Sequence, residues 1–142
     1  NFSMGIAVLN HLVKQAVRAL GPTFDSEVFE IHHRRKADAP SGTALELARS
    51  AAEAADYDWP DSRRVRDGKD ALRGEKEIGT AAIRGGTVAG EHTVYLLGDS
   101  ERIELTHRAT NRDVFALGAL RASHWVSGQK PGLYDMTSML DF

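Results

Sequence analysis

The 142-residue chain contains no cysteine, which excludes disulfide bonds, thiolate catalysis and cysteine-ligated metal. Aromatic residues make up only 7% of it, and neither sign of charge dominates, since 18 lysine and arginine residues stand against 20 aspartate and glutamate residues. A nearly neutral chain has no overall field that would attract nucleic acid or a membrane surface. No apolar run approaches the roughly 20 residues of a membrane span. Any electrostatic recognition must therefore be local.

Several motifs with known chemistry are missing as well. The sequence has no GxxxxGK[ST] phosphate loop and no GxSxG nucleophile elbow. It also lacks HExxH and comparable spacings of metal ligands. We therefore predict neither a nucleotide P-loop nor a serine hydrolase, and we expect no metal site.

Hydrophobic periodicity predicts an α+β fold. Apolar residues spaced by three and four predict a first helix over residues 3–20, and a second helix is predicted from near Ser41. Residues 113–129 have the same pattern and predict a third helix. Four segments favour β-strands: 27–32, 78–84, 88–97 and 102–108. We expect a roughly four-stranded mixed or antiparallel sheet, in which the last three strands form a meander and helices pack on one face.

A chain of this length, with 42% hydrophobic residues, is long enough for one domain with a core. Residues 56–77 are charged and lack apolar periodicity, so we expect a surface segment with little regular structure there. A sheet covered on one face leaves its other face to be buried, and association of subunits is the usual solution. The composition and pattern therefore favour a homo-oligomer.

The stretch HHRRKADAPSGTA, residues 32–44, places five potentially positive side chains just before a predicted helix start. A solvated charge run followed by ordinary helix capping would account for the pattern. However, unpaired N–H groups at a helix N-terminus bind anions, and Gly42 would let an anion approach the backbone closely. Histidine adds a proton donor near neutral pH. The stretch therefore favours a site for a negatively charged ligand.

A nucleic-acid site is a weaker interpretation of the same basic cluster. Such sites are usually helped by aromatic or further basic neighbours, and no aromatic residue interleaves with residues 32–36. Arg112, just before the third predicted helix, is either a surface residue or a side chain that reaches a carboxylate held elsewhere. We expect no nucleic-acid partner.

At the level of motifs the chain resembles the dihydrodipicolinate reductase family of diaminopimelate and lysine synthesis. The main resemblance is the stretch EIHHRRKADAPSGTA, residues 30–44. It extends to the opening NFS, to RGGTVAGEHTV at 84–94, to ERIELTH at 101–107 and to GLYDM at 132–136. Residues 56–77 have no clear counterpart.

The resemblance implies a two-domain enzyme of which this chain is the second domain. Residues 1–133 would form the substrate-binding and oligomerisation domain, and 134–142 would pack on an N-terminal dinucleotide-binding domain that holds NADH or NADPH. The glycine-rich dinucleotide fingerprint is absent from the chain. Because the chain starts at Asn1 rather than methionine, we expect that its natural start has been removed. The resemblance also implies a homotetramer in the cytoplasm and no turnover by this chain alone.

The resemblance assigns roles to nine residues, by position in the shared motifs. Those implied to donate or accept protons are His32 and Lys36. Those implied to hold the two carboxylates of a cyclic substrate are His33, Ser41, Gly42, Thr43 and Arg112. Those implied to touch the cofactor are Asn1 and Phe2. The alternative is an oligomerisation module without ligand affinity, and binding of a cyclic dicarboxylate would discriminate between the two.

Overall fold

The computed structural model describes residues 1–140, and within them the chain forms three α-helices. They are α1 (Met4–Leu20), α2 (Gly42–Ala54) and α3 (Asp113–Val126). Ser3 caps α1 and Ser41 caps α2, because each hydroxyl accepts a hydrogen bond from the backbone N–H three residues further on. The predicted helix starts near the two serines are confirmed.

A mixed sheet of five strands in the described chain confirms the α+β class. The strands are β1 (Asp25–His32), β2 (Arg63–Arg64), β3 (Ile78–Arg84), β4 (Gly90–Leu97) and β5 (Arg102–Ala109). Their order is β2-β3-β1-β4-β5. The pairs β1–β3 and β2–β3 are parallel, whereas β1–β4 and β4–β5 are antiparallel.

The predicted antiparallel meander is wrong at its first turn. Strand β1 lies between β3 and β4, so the turn at Gly85 and Gly86 does not join neighbouring strands. Residues 85–89 instead cross the end of β1, where the backbone N–H of His33 donates to the carbonyl of Val88 (2.8 Å). Two strand spacings are only about 10 Å, which five residues span easily. Only β4 and β5 form the predicted hairpin.

The fifth strand lies in the segment 56–77, where little regular structure was expected. Ion pairs attach this segment to the sheet: Arg66 bonds to Glu27 of β1 (2.9 Å) and to Glu77 (3.0 Å), and Arg73 also bonds to Glu27. Ion pairs and the partly buried Tyr57 and Trp59 hold this segment, and neither follows a regular apolar spacing, so hydrophobic periodicity missed β2.

The core lies between the sheet and the pair α1 and α2. Helix α2 packs on β1 and β3, whereas α1 packs on α2 and β5. Side chains that are at most 1% exposed fill this layer: Val13, Val28, Leu47, Ile78 and Leu96. The opposite face, which carries Phe29 and Ile31, is only partly covered, and Ile83 there is 48% exposed. The fold thus leaves an apolar sheet surface.

Helix α3 and the C-terminal segment pack beside the N-terminal arm. Gly118 is the buried residue of α3, and it lies against the backbone of Phe2. A 3-10 turn (Met136–Met139) contacts α1 and α3, while Leu133 is fully exposed. Residues 141–142 lie outside the described chain, and the packing of 134–142 on another domain stays a prediction. No helix within residues 1–140 has the length and hydropathy needed to cross a bilayer.

The close approach at Gly118 predicts a cost for any side chain there. A Cβ atom at Gly118 would lie 1.8 Å from the carbonyl oxygen of Phe2, so the helix and the arm would have to separate. We expect Gly118→Ala to lower the free energy of unfolding by roughly 1–3 kcal/mol in urea titrations. Gly128→Ala is the matched control, since its Cβ would meet no atom closer than 3.7 Å. Equal stability of the two variants would contradict this packing.

Candidate active-site cleft

A cleft of about 1330 Å³ lies where β1 ends and α2 begins, with α3 and the C-terminal turn as its far wall. All nine residues singled out from the sequence line it: Asn1, Phe2, His32, His33, Lys36, Ser41, Gly42, Thr43 and Arg112. The structure therefore brings the predicted residues together. Their roles in binding and catalysis stay predictions.

The start of α2 offers unpaired backbone donors at one end of the cleft. Hydrogen bonds satisfy the first backbone N–H groups around Ser41, but those of Gly42 and Thr43 have no partner among the described residues. A Cβ atom at Gly42 would meet nothing within 4 Å, so the space before these donors is open. Asn1 donates its amide to the Thr43 hydroxyl (2.7 Å) and ties the N-terminal arm to this site. Unpaired donors at a helix N-terminus are suited to a carboxylate.

His32 ends β1 with its ring inside the cleft wall and its side chain 11% exposed. Its Nδ1 atom lies 2.5 Å from a carboxylate oxygen of Glu30, which accepts the hydrogen. The other ring nitrogen, Nε2, lies beside Gly90, whose φ of +155° and missing side chain make room for the ring. Because an ionised carboxylate can only accept, Nδ1 carries a hydrogen in this contact and Nε2 is left for a ligand.

Sequence reasoning missed Glu30 and Arg84, which lie behind His32. Glu30 is fully buried, and Arg84 donates to both of its carboxylate oxygens at 2.6 and 2.7 Å. Burial by itself raises the pKa of Glu30, but hydrogen bonds from Arg84, His32 and the Ser41 N–H hold it below its ordinary value. The sequence contained a signal for Glu30, because this charged residue occupies an inward-facing position of an alternating strand, where an apolar residue is expected.

Lys36 and His33 supply the basic side of the cleft. The ammonium of Lys36 contacts both oxygens of Asp38, at 2.7 and 2.9 Å, and lowers the pKa of that carboxyl. Because Asp38 is 60% exposed, a ligand carboxylate can replace it at little cost. Desolvation, helped by the charges of Arg35 and Arg112, lowers the pKa of His33. His33 is therefore a neutral hydrogen-bonding group at pH 7.

The rest of the basic stretch does not face the cleft. The wall contains His33 and Lys36 but neither Arg34 nor Arg35, which are both exposed. The apolar wall is formed by residues of the N-terminal arm and of α3: Phe2, Phe115, Ala119, Trp125 and Val126. Tyr134 and residues 135–137 close the far end, although the sequence placed 134–142 outside the domain. No local pattern indicated this closure.

Two further histidines support the helix N-termini. His92 and His107 are opposite one another on β4 and β5, and their Nε2 atoms contact the capping hydroxyls of Ser41 (3.1 Å) and Ser3 (3.3 Å). Burial lowers the pKa of both rings, to about 4 for His92. Within residues 1–140 no three histidine, aspartate or glutamate side chains are grouped to hold a metal ion. These rings therefore serve as neutral supports of the caps.

The low pKa of His92 predicts acid sensitivity. Desolvation is the largest cause, the charges of His32, His107 and Lys36 add to it, and Glu30 opposes it. As pH falls below about 6.5, the unfolded chain binds a proton that folded His92 accepts only near pH 4, so stability is lost across this interval. The loss is about 2–3 kcal/mol by pH 4.5. We expect His92→Gln to remove this part of the pH dependence in urea titrations at about pH 7.5 and 4.5.

His124→Gln is the matched control, because His124 is an exposed residue of α3. It should leave the acid sensitivity of the parent unchanged. A His92→Gln variant that loses as much stability on acidification as the parent would contradict the assignment.

Comparisons with known proteins agree with the motif resemblance. The family model described as dihydrodipicolinate reductase, C-terminus, matches residues 5–140. A 4-hydroxy-tetrahydrodipicolinate reductase of Myxococcus xanthus is 54% identical over 142 residues, which are 100% of this chain and 52% of that protein. The same enzyme of Methylocella silvestris is 51% identical over 141 residues, 99% of this chain and 52% of that protein.

A solved structure gives the same result for the fold. The dipicolinate-bound dihydrodipicolinate reductase from Paenisporosarcina sp. TG-14 matches with a TM-score of 0.76 at 26% identity, over 99% of this chain and 52% of that chain. This chain spans about half the length of the curated relatives that it matches. By family model, sequence and fold alike, the chain belongs to the dihydrodipicolinate reductase family, as its C-terminal domain.

Proposed function

We propose that this chain is the substrate-binding and proton-donating part of a 4-hydroxy-tetrahydrodipicolinate reductase. The substrate is a cyclic imine dicarboxylate, which becomes the conjugated dihydrodipicolinate once its 4-hydroxyl has left as water. Hydride from NADH or NADPH and one proton then give tetrahydrodipicolinate. The observation that carries the proposal is the convergence on one cleft of the open α2 N-terminus and the imidazole of His32. The dipicolinate reported in the solved relative is a ligand of this chemical class.

Two groups of donors can receive the two carboxylates of such a ring. The N–H groups of Gly42 and Thr43 would bind one carboxylate, where the helix dipole adds a favourable field. His33, Lys36 and Arg112 would hold the other, with Lys36 exchanging its Asp38 contact for the ligand. Charge-assisted hydrogen bonds from both sides would fix the ring in one orientation.

The proton chemistry falls to His32 and Lys36. Negative charge develops in the conjugated ring as hydride adds to it, and a nearby acid stabilises this charge by giving up a proton. His32 lines the cleft and has its Nε2 free of the Glu30 contact, and Lys36 lines the same wall as a second donor. These positions suit the transfer of one proton to the reduced ring.

The fit to a nicotinamide cofactor is partial within this chain. Phe2 is 52% exposed at the cleft, and its flat apolar ring suits contact with a nicotinamide, which supplies the hydride when it is bound. Asn1 beside it offers an amide for orientation. The glycine-rich phosphate loop is absent from the sequence, so we propose that a separate dinucleotide-binding domain holds most of the cofactor. Residues 134–142 would contact that domain. We also propose a cytoplasmic location, where NADH and NADPH are available.

Calorimetric titration of pyridine-2,6-dicarboxylate into this chain tests the proposal. We expect binding by the parent and about tenfold weaker binding by His33→Ala and by Lys36→Ala, since each variant loses a hydrogen-bond donor to a carboxylate. Arg34→Ala is the matched control: it removes a charge from the same basic stretch, but Arg34 does not line the cleft. The control should bind like the parent.

Two results would count against this function. A folded parent that does not bind the dicarboxylate would leave oligomerisation as the only activity of this chain. Equal weakening by Arg34→Ala and Lys36→Ala would indicate attraction by general positive charge rather than a built site.

We further propose that the open face of the sheet assembles copies of this chain into a homotetramer. Phe29, Ile31 and Ile83 lie side by side on adjacent strands of that face, and helices cover only the other face. A contiguous apolar surface of this kind is typical of subunit interfaces.

Sedimentation velocity tests the assembly. Ile83→Lys places a charge on the open face beside Ile31 and should shift the parent oligomer towards monomer at micromolar concentration, since a buried unpaired charge is costly. Ile103→Lys is the control, because Ile103 pairs with inward-facing Leu96 and is 37% exposed at the sheet edge. A monomeric parent would contradict this interface.

A further inference from the structure

A fully buried carboxylate joins three separate segments of the cleft wall. Glu30 lies two residues before His32 on the same face of β1 and is 0% exposed. One of its oxygens accepts from the Nδ1 atom of His32 at 2.5 Å, and the other accepts from the Ser41 N–H at 2.9 Å. Arg84 of β3 bonds to both oxygens. The carboxylate is thus bonded to β1, to β3 and to the cap of α2.

These contacts keep Glu30 ionised and so determine the hydrogen on His32. A buried carboxylate is costly unless charge and hydrogen bonds compensate it, and here the Arg84 guanidinium supplies the charge. An ionised carboxylate can only accept hydrogen bonds. The Nδ1 atom of His32 must therefore carry its hydrogen, and Nε2 is the nitrogen that exchanges protons with the cleft.

The ring has little room to escape this orientation. The His92 ring lies edge-on to it, with 5.1 Å between centroids and an interplanar angle of 75°. A Cβ atom at Gly90 would lie 3.0 Å from Nε2 of His32, so the opposite strand also confines the ring. A 180° flip of the ring would put the Cδ2 atom of His32 where Nδ1 lies and leave Glu30 without one of its donors.

We infer that Glu30 is a positioning residue, which holds His32 with Nε2 towards the cleft and locks it to the α2 N-terminus through the Ser41 N–H. The same carboxylate oxygens touch the proton donor and the cap of the anion site, so the separation of these two groups is fixed. This inference rests on the proposed function and adds to it a residue that does not touch the ligand.

The role of Glu30 in the proposed proton transfer follows from the position of each hydrogen. Hydride from a bound nicotinamide would add to the conjugated imine, and the electron pair displaced in the ring would take the proton from Nε2 of His32. The N–H bonding electrons stay on the imidazole, which becomes neutral with its remaining hydrogen on Nδ1. Glu30 stays ionised throughout and stabilises the positive ring before the transfer. No other co-reactant is required.

If the Glu30–Arg84 pair only stabilised the fold, removing it would change stability but not the tautomer of His32. A double variant distinguishes this structural role from the positioning role. Replacing both Glu30 and Arg84 by methionine removes the charges together, and such exchanges of buried ion pairs for apolar residues are often neutral for stability. The matched control replaces Glu27 and Arg66 by methionine. That pair also links β1 to another segment, but Glu27 is on the open face of the sheet.

Imidazole NMR of the 15N-labelled chain, recorded on the alkaline plateau where the ring signals no longer change with pH, gives the decisive observation. The parent should show His32 with hydrogen on Nδ1. In Glu30→Met/Arg84→Met the ring loses its acceptor, and it should move towards the Nε2–H tautomer that free imidazole side chains favour. The affinity for pyridine-2,6-dicarboxylate should fall about tenfold, while urea unfolding stays cooperative. The Glu27→Met/Arg66→Met control should keep both the parent tautomer and the parent affinity.

The possible outcomes distinguish a failure of the inference about Glu30 from a failure of the proposed function. A parent chain with its hydrogen on Nε2 of His32 overturns the inference. This result needs no variant, so it can be obtained even if the double variant does not fold. A folded double variant with the parent tautomer, or with affinity within twofold of the parent, also overturns it. A parent that shows the Nδ1 tautomer but binds no dicarboxylate overturns the proposed function instead.

Discussion

The burial of one negative charge constrains the whole cleft. A carboxylate removed from water must meet donors on all sides, and those of Glu30 come from His32 on β1, Arg84 on β3 and Ser41 at the start of α2. Along the chain Ser41 is 11 residues and Arg84 is 54 residues from Glu30, so the docking of α2 and the pairing of β1 with β3 are prerequisites for this set of bonds. The sheet and the site are therefore one structural unit.

The hydrogen-bond donors of the cleft come from the backbone as well as from side chains. Helices α1 and α2 begin with serine caps, and the neutral rings of His107 and His92 support those caps from adjacent strands. Asn1 then links the arm before α1 to Thr43 of α2. Because the supporting histidines are neutral, the helix N-termini provide the local field without a cluster of buried cations.

The sequence predicted the elements and most of the cleft, but not what depends on distant partners. Helix periodicity and the capping serines placed α1 and α2 correctly, and the motif stretch at 32–44 marked the cleft wall. Strand order was wrong because turn residues at Gly85 and Gly86 report only that the chain bends, not which strand lies between. The role of Glu30 was missed because its compensating partner, Arg84, is 54 residues away. Strand β2 was missed because arginine–carboxylate pairs, which have no period, hold it.

The central claim is that the α2 N-terminus and His32 receive a cyclic dicarboxylate together. A crystal structure of this chain grown with pyridine-2,6-dicarboxylate tests it most directly. We expect one carboxylate within hydrogen-bond distance of the Gly42 and Thr43 N–H groups, with the ring facing Nε2 of His32. A ligand bound elsewhere, or a carboxylate that contacts only Arg34 and Arg35 on the surface, would contradict it.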